Sequence, residues 1–224
     1  PEFTQIDIEM SFVDQEDIFE MVEGLMVKLF KETKNIEIET PIKRISFNDA
    51  MENYGSDKPD LRFGLEMKTL NHVFENAEFK VFKDAIETNG IITGLLAQGC
   101  GDYTRNQLDV LTNFIKQLGA GGLIWMRVKE DGLDAQVAKF MTDEEKQGII
   151  DTLDAKEGDL VFIVSGPRIK SLSIMGSLRL EMAKRLDLIK PDVKPALLWV
   201  TNFPLLEWDE DTKRFHAMHH PFTS

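Results

Sequence analysis

Pro1-Glu2-Phe3-Thr4-Gln5-Ile6-Asp7-Ile8-Glu9-Met10-Ser11 alternates in polarity with a period of two. Thr4, Ile6, Ile8, Met10 and Phe12 fall on one face of an extended chain, and Gln5, Asp7, Glu9 and Ser11 on the other. Same-face residues of a strand lie about 7 Å apart. The polar face is then a row of acceptors suited to an ammonium group, a ribose or a metal. The pattern predicts a strand over 4–12. By itself it equally describes a half-exposed edge strand with solvated carboxylates, and the other end of the chain separates the two.

That end reads His216-Ala217-Met218-His219-His220-Pro221-Phe222-Thr223-Ser224, with three of the four histidines inside five residues. It follows an apolar run, Ala196 to Pro204, and a hairpin expected to turn at Asp209-Glu210-Asp211-Thr212. Tandem histidines can bind a metal, but neither cysteine ligands nor a His-x-x-x-His helix accompanies them. Neutral or cationic imidazoles can instead grip an anionic substrate.

Composition narrows the classes. Hydrophobic residues make up 42% and charged residues 29% of 224 positions, the proportions of a globular protein with a real core. No stretch approaches the ~20 apolar residues of a membrane helix, and no signal peptide is visible. One cysteine, Cys100, rules out an internal disulfide framework and suits a reducing cytoplasm; within Gln98-Gly99-Cys100-Gly101-Asp102 it reads as a small turn residue. The net charge of −13 and the acidic run Glu207 to Asp211 leave no basic stripe for a polyanion, so this chain is not expected to bind nucleic acid strongly.

The two ends together resemble bacterial-type aspartyl-tRNA synthetases, which are class II enzymes. Residues 1–9 look like the second half of the family's motif 2. Tyr54-Gly55-Ser56-Asp57-Lys58-Pro59-Asp60-Leu61-Arg62 is similar to a signature of the bacterial branch, and Trp199 to Pro204 followed by Ala217 to Ser224 is similar to the segment returning to the active-site sheet. The resemblance runs over essentially the whole chain. It implies an α+β fold: part of a class II antiparallel sheet with helices, formed by 1–73 and 195–224, and an inserted α+β domain of the GAD type at 74–194. It further implies that motif 1 and the first half of motif 2 precede Pro1 and that motif 3 follows Ser224, leaving a piece inactive alone.

The activity so implied is ATP-dependent activation of L-aspartate to the adenylate and transfer to tRNA, in a cytoplasmic homodimer with Mg²⁺ and no membrane association. Tight tRNA contacts are expected mainly from domains outside this chain. Gln5 and Asp7 are expected at the substrate ammonium, Glu9 on the nucleotide or Mg²⁺ side, His219 at the aspartate side-chain carboxylate and His220 beside it. Asp7 and His219 should then face one cleft within about 10 Å. No catalytic side chain and no resident metal site is expected in the chain itself. The string Asp57 to Arg62 reads either as a salt-bridged turn anchoring the insertion or as a substrate contact. A lysine or asparagine class II synthetase, and a non-catalytic tRNA-interaction module like that of an amidotransferase subunit, are the competing readings.

Between the ends, Asp14 to Lys34 reads as a helix capped by Asp14, with Asp17 favouring its positive end. Its apolar stripe is Ile18, Met21, Val22, Leu25, Met26, Leu29 and Phe30. Gly24 inside it suggests close packing against a neighbour. Ile42 and Ile45 lead a strand into a short helix at Phe47. Strands are predicted at Glu78–Phe82, Ile91–Ala97, Leu123–Val128 and Leu160–Val164. Helices are predicted after the capping boxes that start at Thr104 and Thr142, and from Ser171 to Leu186. The cluster Gly119-Ala120-Gly121-Gly122 lacks the trailing Lys-Ser/Thr of a phosphate loop and reads as a helix stop.

Overall fold

The computed structural model describes residues 2–209 and 212–218. In chain order the elements are α1 (Gln15–Lys34), β1 (Lys43–Ser46), α2 (Phe47–Tyr54), β2 (Met67–Thr69), α3 (Lys80–Glu87), β3 (Ile91–Ala97), α4 (Arg105–Gln117), β4 (Ile124–Lys129), β5 (Gly132–Asp134), α5 (Asp143–Leu153), β6 (Leu160–Gly166), α6 (Arg168–Arg185), β7 (Leu198–Thr201), β8 (Leu206–Asp209) and β9 (Arg214–Ala217). They fall into two compact units, Pro1–Arg44 with Leu197–Trp199, and Ile45–Ala196 with Val200–Ser224.

The first unit is built on α1. Asp14 accepts from the Glu16 and Asp17 amides, and the Asp17 carboxylate accepts from the Asp14 amide at 2.8 Å, closing a capping box. Phe19 and Glu23, four residues apart, are the buried positions of the helix. The apolar stripe read from the sequence is only partly covered: Leu25 and Leu29 stay exposed at 38% and 48%. The close neighbour expected at Gly24 is absent, since a Cβ there would meet nothing within 4 Å.

The predicted strand over 4–12 does not form among the described residues. Residues 2–10 carry no regular secondary structure and are exposed on both supposed faces. Ladder hydrogen bonds from a neighbour are what make an alternating segment a strand, and none of the described backbone supplies them here.

The second unit is a five-stranded antiparallel sheet in the order β2-β3-β6-β4-β5, with helices against both faces. On one face, Phe47 and Met51 of α2, Leu108, Leu111 and Ile115 of α4, and Leu172, Met175 and Leu178 of α6 cover Ile91, Leu95, Leu160 and Phe162. On the other, Phe82 of α3 and Ile149 and Leu153 of α5 cover Ile92, Leu96, Val161 and Ile163. This explains why β3 and the first five residues of β6 are apolar at nearly every position and buried throughout. Strands β1 and β7 form a separate two-stranded sheet, and β8 and β9 a hairpin.

One predicted strand is a helix. Glu78–Phe82 enters α3, because Phe82 and Ala85 share its buried face and Phe79 packs edge-on against Phe82 at 5.2 Å. Phe79, Phe82 and Ile86 recur at three- and four-residue steps, a helical spacing that the short alternation of 78–82 conceals. Helix α6 also begins three residues before the predicted Ser171, directly after Pro167. The other predicted helices and strands are present, β2 and β5 are short strands that the sequence reading does not include, and Thr104 and Thr142 each close a capping box.

Candidate active-site segments

Gln5, Asp7 and Glu9 are all exposed on the segment preceding α1. A separate cluster in the first unit is organised by Glu23 and Trp199. The buried Glu23 carboxylate accepts from the Trp199 indole N–H at 3.0 Å, and the Trp199 ring lies 4.5 Å from that of Phe19. Arg44 covers the Phe19 ring at 4.4 Å and pairs with Glu16 at 2.6 Å. A hydrogen bond to a charged group contributes about 1.5–3 kcal/mol, so this small cluster holds Trp199 to α1. In the sequence Trp199 reads as part of an apolar run and as the start of the segment similar to the family's returning strand, and Glu23 does not stand out. Its place four residues after Phe19 is the available signal.

The histidine end is described as far as Met218. Hairpin pairs are Leu206 with Ala217, Glu207 with His216, Trp208 with Phe215 and Asp209 with Arg214. The turn predicted at 209–212 connects these strands, with residues 210 and 211 outside the described residues. His216 Nε2 accepts from Arg214 Nε at 3.2 Å and lies 2.8 Å from Thr212 Oγ1 and 3.4 Å from Asp209. His219 and His220 lie outside the described residues, as does the predicted approach of His219 to Asp7.

The string Asp57 to Arg62 is a built loop in the second unit. Ser56 Oγ accepts from the Lys58 amide at 3.0 Å. Arg62 donates twice to Asp60, from Nε at 2.9 Å and Nη2 at 2.6 Å, which holds the Asp60 carboxyl below its usual range. The salt-bridged turn expected from the sequence is therefore present. Beneath it lies a residue that the sequence does not single out. Arg179 of α6, 1% exposed, donates to the main-chain carbonyls of Leu65 (2.9 Å), Asp60 (2.8 Å), Gly64 (3.0 Å) and Phe63 (3.3 Å). Its guanidinium stacks 4.1 Å from the Phe63 ring and 5.0 Å from Tyr54. The available signal is an arginine on the buried stripe of α6, four residues after Met175 and three before Met182.

Other reactive groups are structural. Cys100 is buried, its Sγ faces the Gln98 carbonyl at 3.5 Å, and burial raises its thiol. This is an inert turn residue, as the sequence suggests. His72 Nε2 lies 3.1 Å from Thr152 Oγ1. A surface groove of about 470 Å³ between α4 and β4, lined by Arg105, Lys116, Trp125 and neighbours, contains none of the predicted site residues. Among the described residues no cluster of three or more His, Cys, Asp or Glu is placed to hold a metal, and no helix is long and apolar enough to cross a membrane.

Among the described residues the fold is α+β, with an antiparallel sheet and six α-helices. The chain matches the family described as tRNA synthetases class II (D, K and N) over residues 1–224, and it belongs to that family. Its curated relatives are named aspartate–tRNA ligases. It is 47% identical over 223 residues to the aspartate–tRNA ligase of Clostridium perfringens (strain ATCC 13124) and, at 47%, to that of Clostridium novyi (strain NT). Identity to the aspartate–tRNA ligase of Clostridium botulinum (strain Kyoto) is 46% over 224 residues. The alignments take in 100% of this chain and 37–38% of each relative.

Proposed function

We propose that the chain is the part of an aspartate–tRNA ligase that contributes one wall of the aspartate site. The carrying observation is its identity of 46–47%, along its whole length, to relatives bearing that name. In the reaction, the carboxylate of L-aspartate attacks the α-phosphate of ATP, releasing pyrophosphate, and the adenylate passes its acyl group to a tRNA ribose hydroxyl. Both steps depend on positioning and on stabilising charge.

Asp7, with Gln5 beside it, holds the α-ammonium, since a carboxylate is the charge-complementary acceptor for that group. His219 donates to the side-chain carboxylate and favours aspartate over asparagine, with His220 supporting it. Glu9 lies toward the nucleotide. Mg²⁺ is commonly held by one or two carboxylates together with substrate phosphates. Glu9, as a single exposed carboxylate, would be one ligand of an ion carried by ATP.

The catalytic part comprises 1–73 and 195–224, and 74–194 is a GAD-like insert. The full-length protein is a cytoplasmic homodimer that meets tRNA mainly through other domains. The test is aspartate-dependent ATP–pyrophosphate exchange by the full-length protein and its Asp7→Ala and His219→Ala variants. Loss of one charge-assisted contact should cut kcat/KM for aspartate by about tenfold to a hundredfold in each. Exchange unchanged in both variants would refute these roles.

A further inference from the structure

The best-built local structure in the second unit lies under an exposed loop. Arg179 carries its charge into the interior, where its hydrogen-bond partners are four main-chain carbonyls of residues 60–65. The guanidinium lies 4.1 Å from the Phe63 ring and 5.0 Å from the Tyr54 ring, and Tyr54 is itself anchored by donating to Glu66 at 2.9 Å. One turn earlier, Gly176 lets α6 approach the end of α2, where a Cβ would lie 2.7 Å from the Tyr54 carbonyl oxygen. The loop so held contains Leu65 at φ +60°, a left-handed conformation that a branched side chain disfavours. Strain retained by an over-determined surround is a mark of a shaped site.

The loop displays two cations. Lys58 is exposed and has no ion pair among the described residues, while Pro59 beside it is buried. Arg62 commits two of its five N–H donors to Asp60, leaving three for a ligand. Asp60 thus fixes the direction of the guanidinium, and Arg179 fixes the backbone that carries Asp60. We infer that Lys58 and Arg62 contact a phosphate group of a substrate, and that Arg179 is the positioning residue that presents them. This rests on the proposed ligase function. It also gives the insert a task, because α6 belongs to 74–194 and the loop to 1–73. The phosphate comes either from ATP or from tRNA, and the two sources separate kinetically.

The experiment uses the full-length protein and its Lys58→Ala, Arg62→Ala and Arg179→Lys variants, in ATP–pyrophosphate exchange and in tRNA charging, with thermal midpoints measured alongside. Lys58→Ala changes an exposed side chain, unpaired among the described residues, and should leave the midpoint in place, while Arg62→Ala also loses the Asp60 pair and should lower it slightly. Each should raise KM for one phosphate-bearing substrate by about tenfold, with kcat little changed. Arg179→Lys, which keeps the charge but loses the fork, should raise the same KM. A rise in KM for ATP assigns the phosphate to the nucleotide; a rise confined to charging assigns it to tRNA. Both KM values unchanged in Lys58→Ala and Arg62→Ala, or a lowered midpoint with unchanged KM in Arg179→Lys, overturns the inference. Absence of aspartate-dependent exchange in the unsubstituted protein overturns the ligase reading and the inference together.

Discussion

Arg179 and Tyr54 show how a charge is accommodated at 1% exposure without a hydrogen-bonded carboxylate partner. Desolvation lowers the affinity of Arg179 for its proton, but arginine holds its charge far above neutral pH. Four carbonyl oxygens and two ring faces replace the lost hydration. The same burial, together with Glu66, pushes the Tyr54 phenol up from 10.0 to about 12. A folded-state value above the unfolded one means that protonated Tyr54 contributes stability in full below pH 10, and that this contribution is lost as pH rises toward 12. The chain has two tyrosines, and burial raises Tyr103 as well. Absorbance titration at about 295 nm should therefore show less than half of the total phenolate at pH 10 in the folded protein, with Tyr54 the later of the two, ionising only near 12; half-ionisation of Tyr54 at pH 10 would contradict this packing. Asp60 runs the other way. Held low by Arg62, it contributes stability at neutral pH that disappears as the solution is acidified through its depressed pKa.

Two helix glycines, alike in sequence, differ sharply in their surroundings. Gly24 lies mid-helix in α1 with nothing within 4 Å of the position a methyl group would take, whereas at Gly176 the same methyl would lie 2.7–2.8 Å from the backbone of Tyr54 and Gly55. Gly24→Ala should stabilise by about 0.5–1 kcal/mol, and Gly176→Ala should destabilise by about 1–3 kcal/mol or more. Thermal or urea unfolding gives both signs, and destabilisation by Gly24→Ala would show an unrecognised contact. The pair also marks the limit of sequence reading. The cap at Asp14 and the capping boxes at Thr104 and Thr142 are legible because the whole interaction spans three residues. The buried strands β3 and β6 are legible from composition and length. A glycine's neighbour, the partner of Arg179 more than a hundred residues away, and the absence of a ladder partner for 4–10 are all non-local. Glu78–Phe82 misleads for another reason, since five alternating residues fit a strand and a helix entry alike. Of the candidate site, residue types and their order were legible; the brace beneath Asp57–Arg62 was not.

At the scale of the molecule, the second unit has a sheet covered on both faces, while large apolar side chains remain uncovered elsewhere. Phe3, Ile6 and Phe12 are 79%, 78% and 106% exposed, and Trp208 and Phe215 on the β8–β9 hairpin 47% and 64%. The chain spans 37–38% of its relatives' length. The segment from Phe3 to Phe12 also carries Asp7 and the hairpin precedes His219 in sequence, so the proposed function is measured on the full-length protein. The most direct measurement is the amino-acid selectivity of ATP–pyrophosphate exchange by the full-length protein, with aspartate, asparagine and lysine compared at equal concentration. Exchange with aspartate and little with the other two is the predicted result; exchange with lysine or asparagine in preference, or with none of the three, would contradict the account.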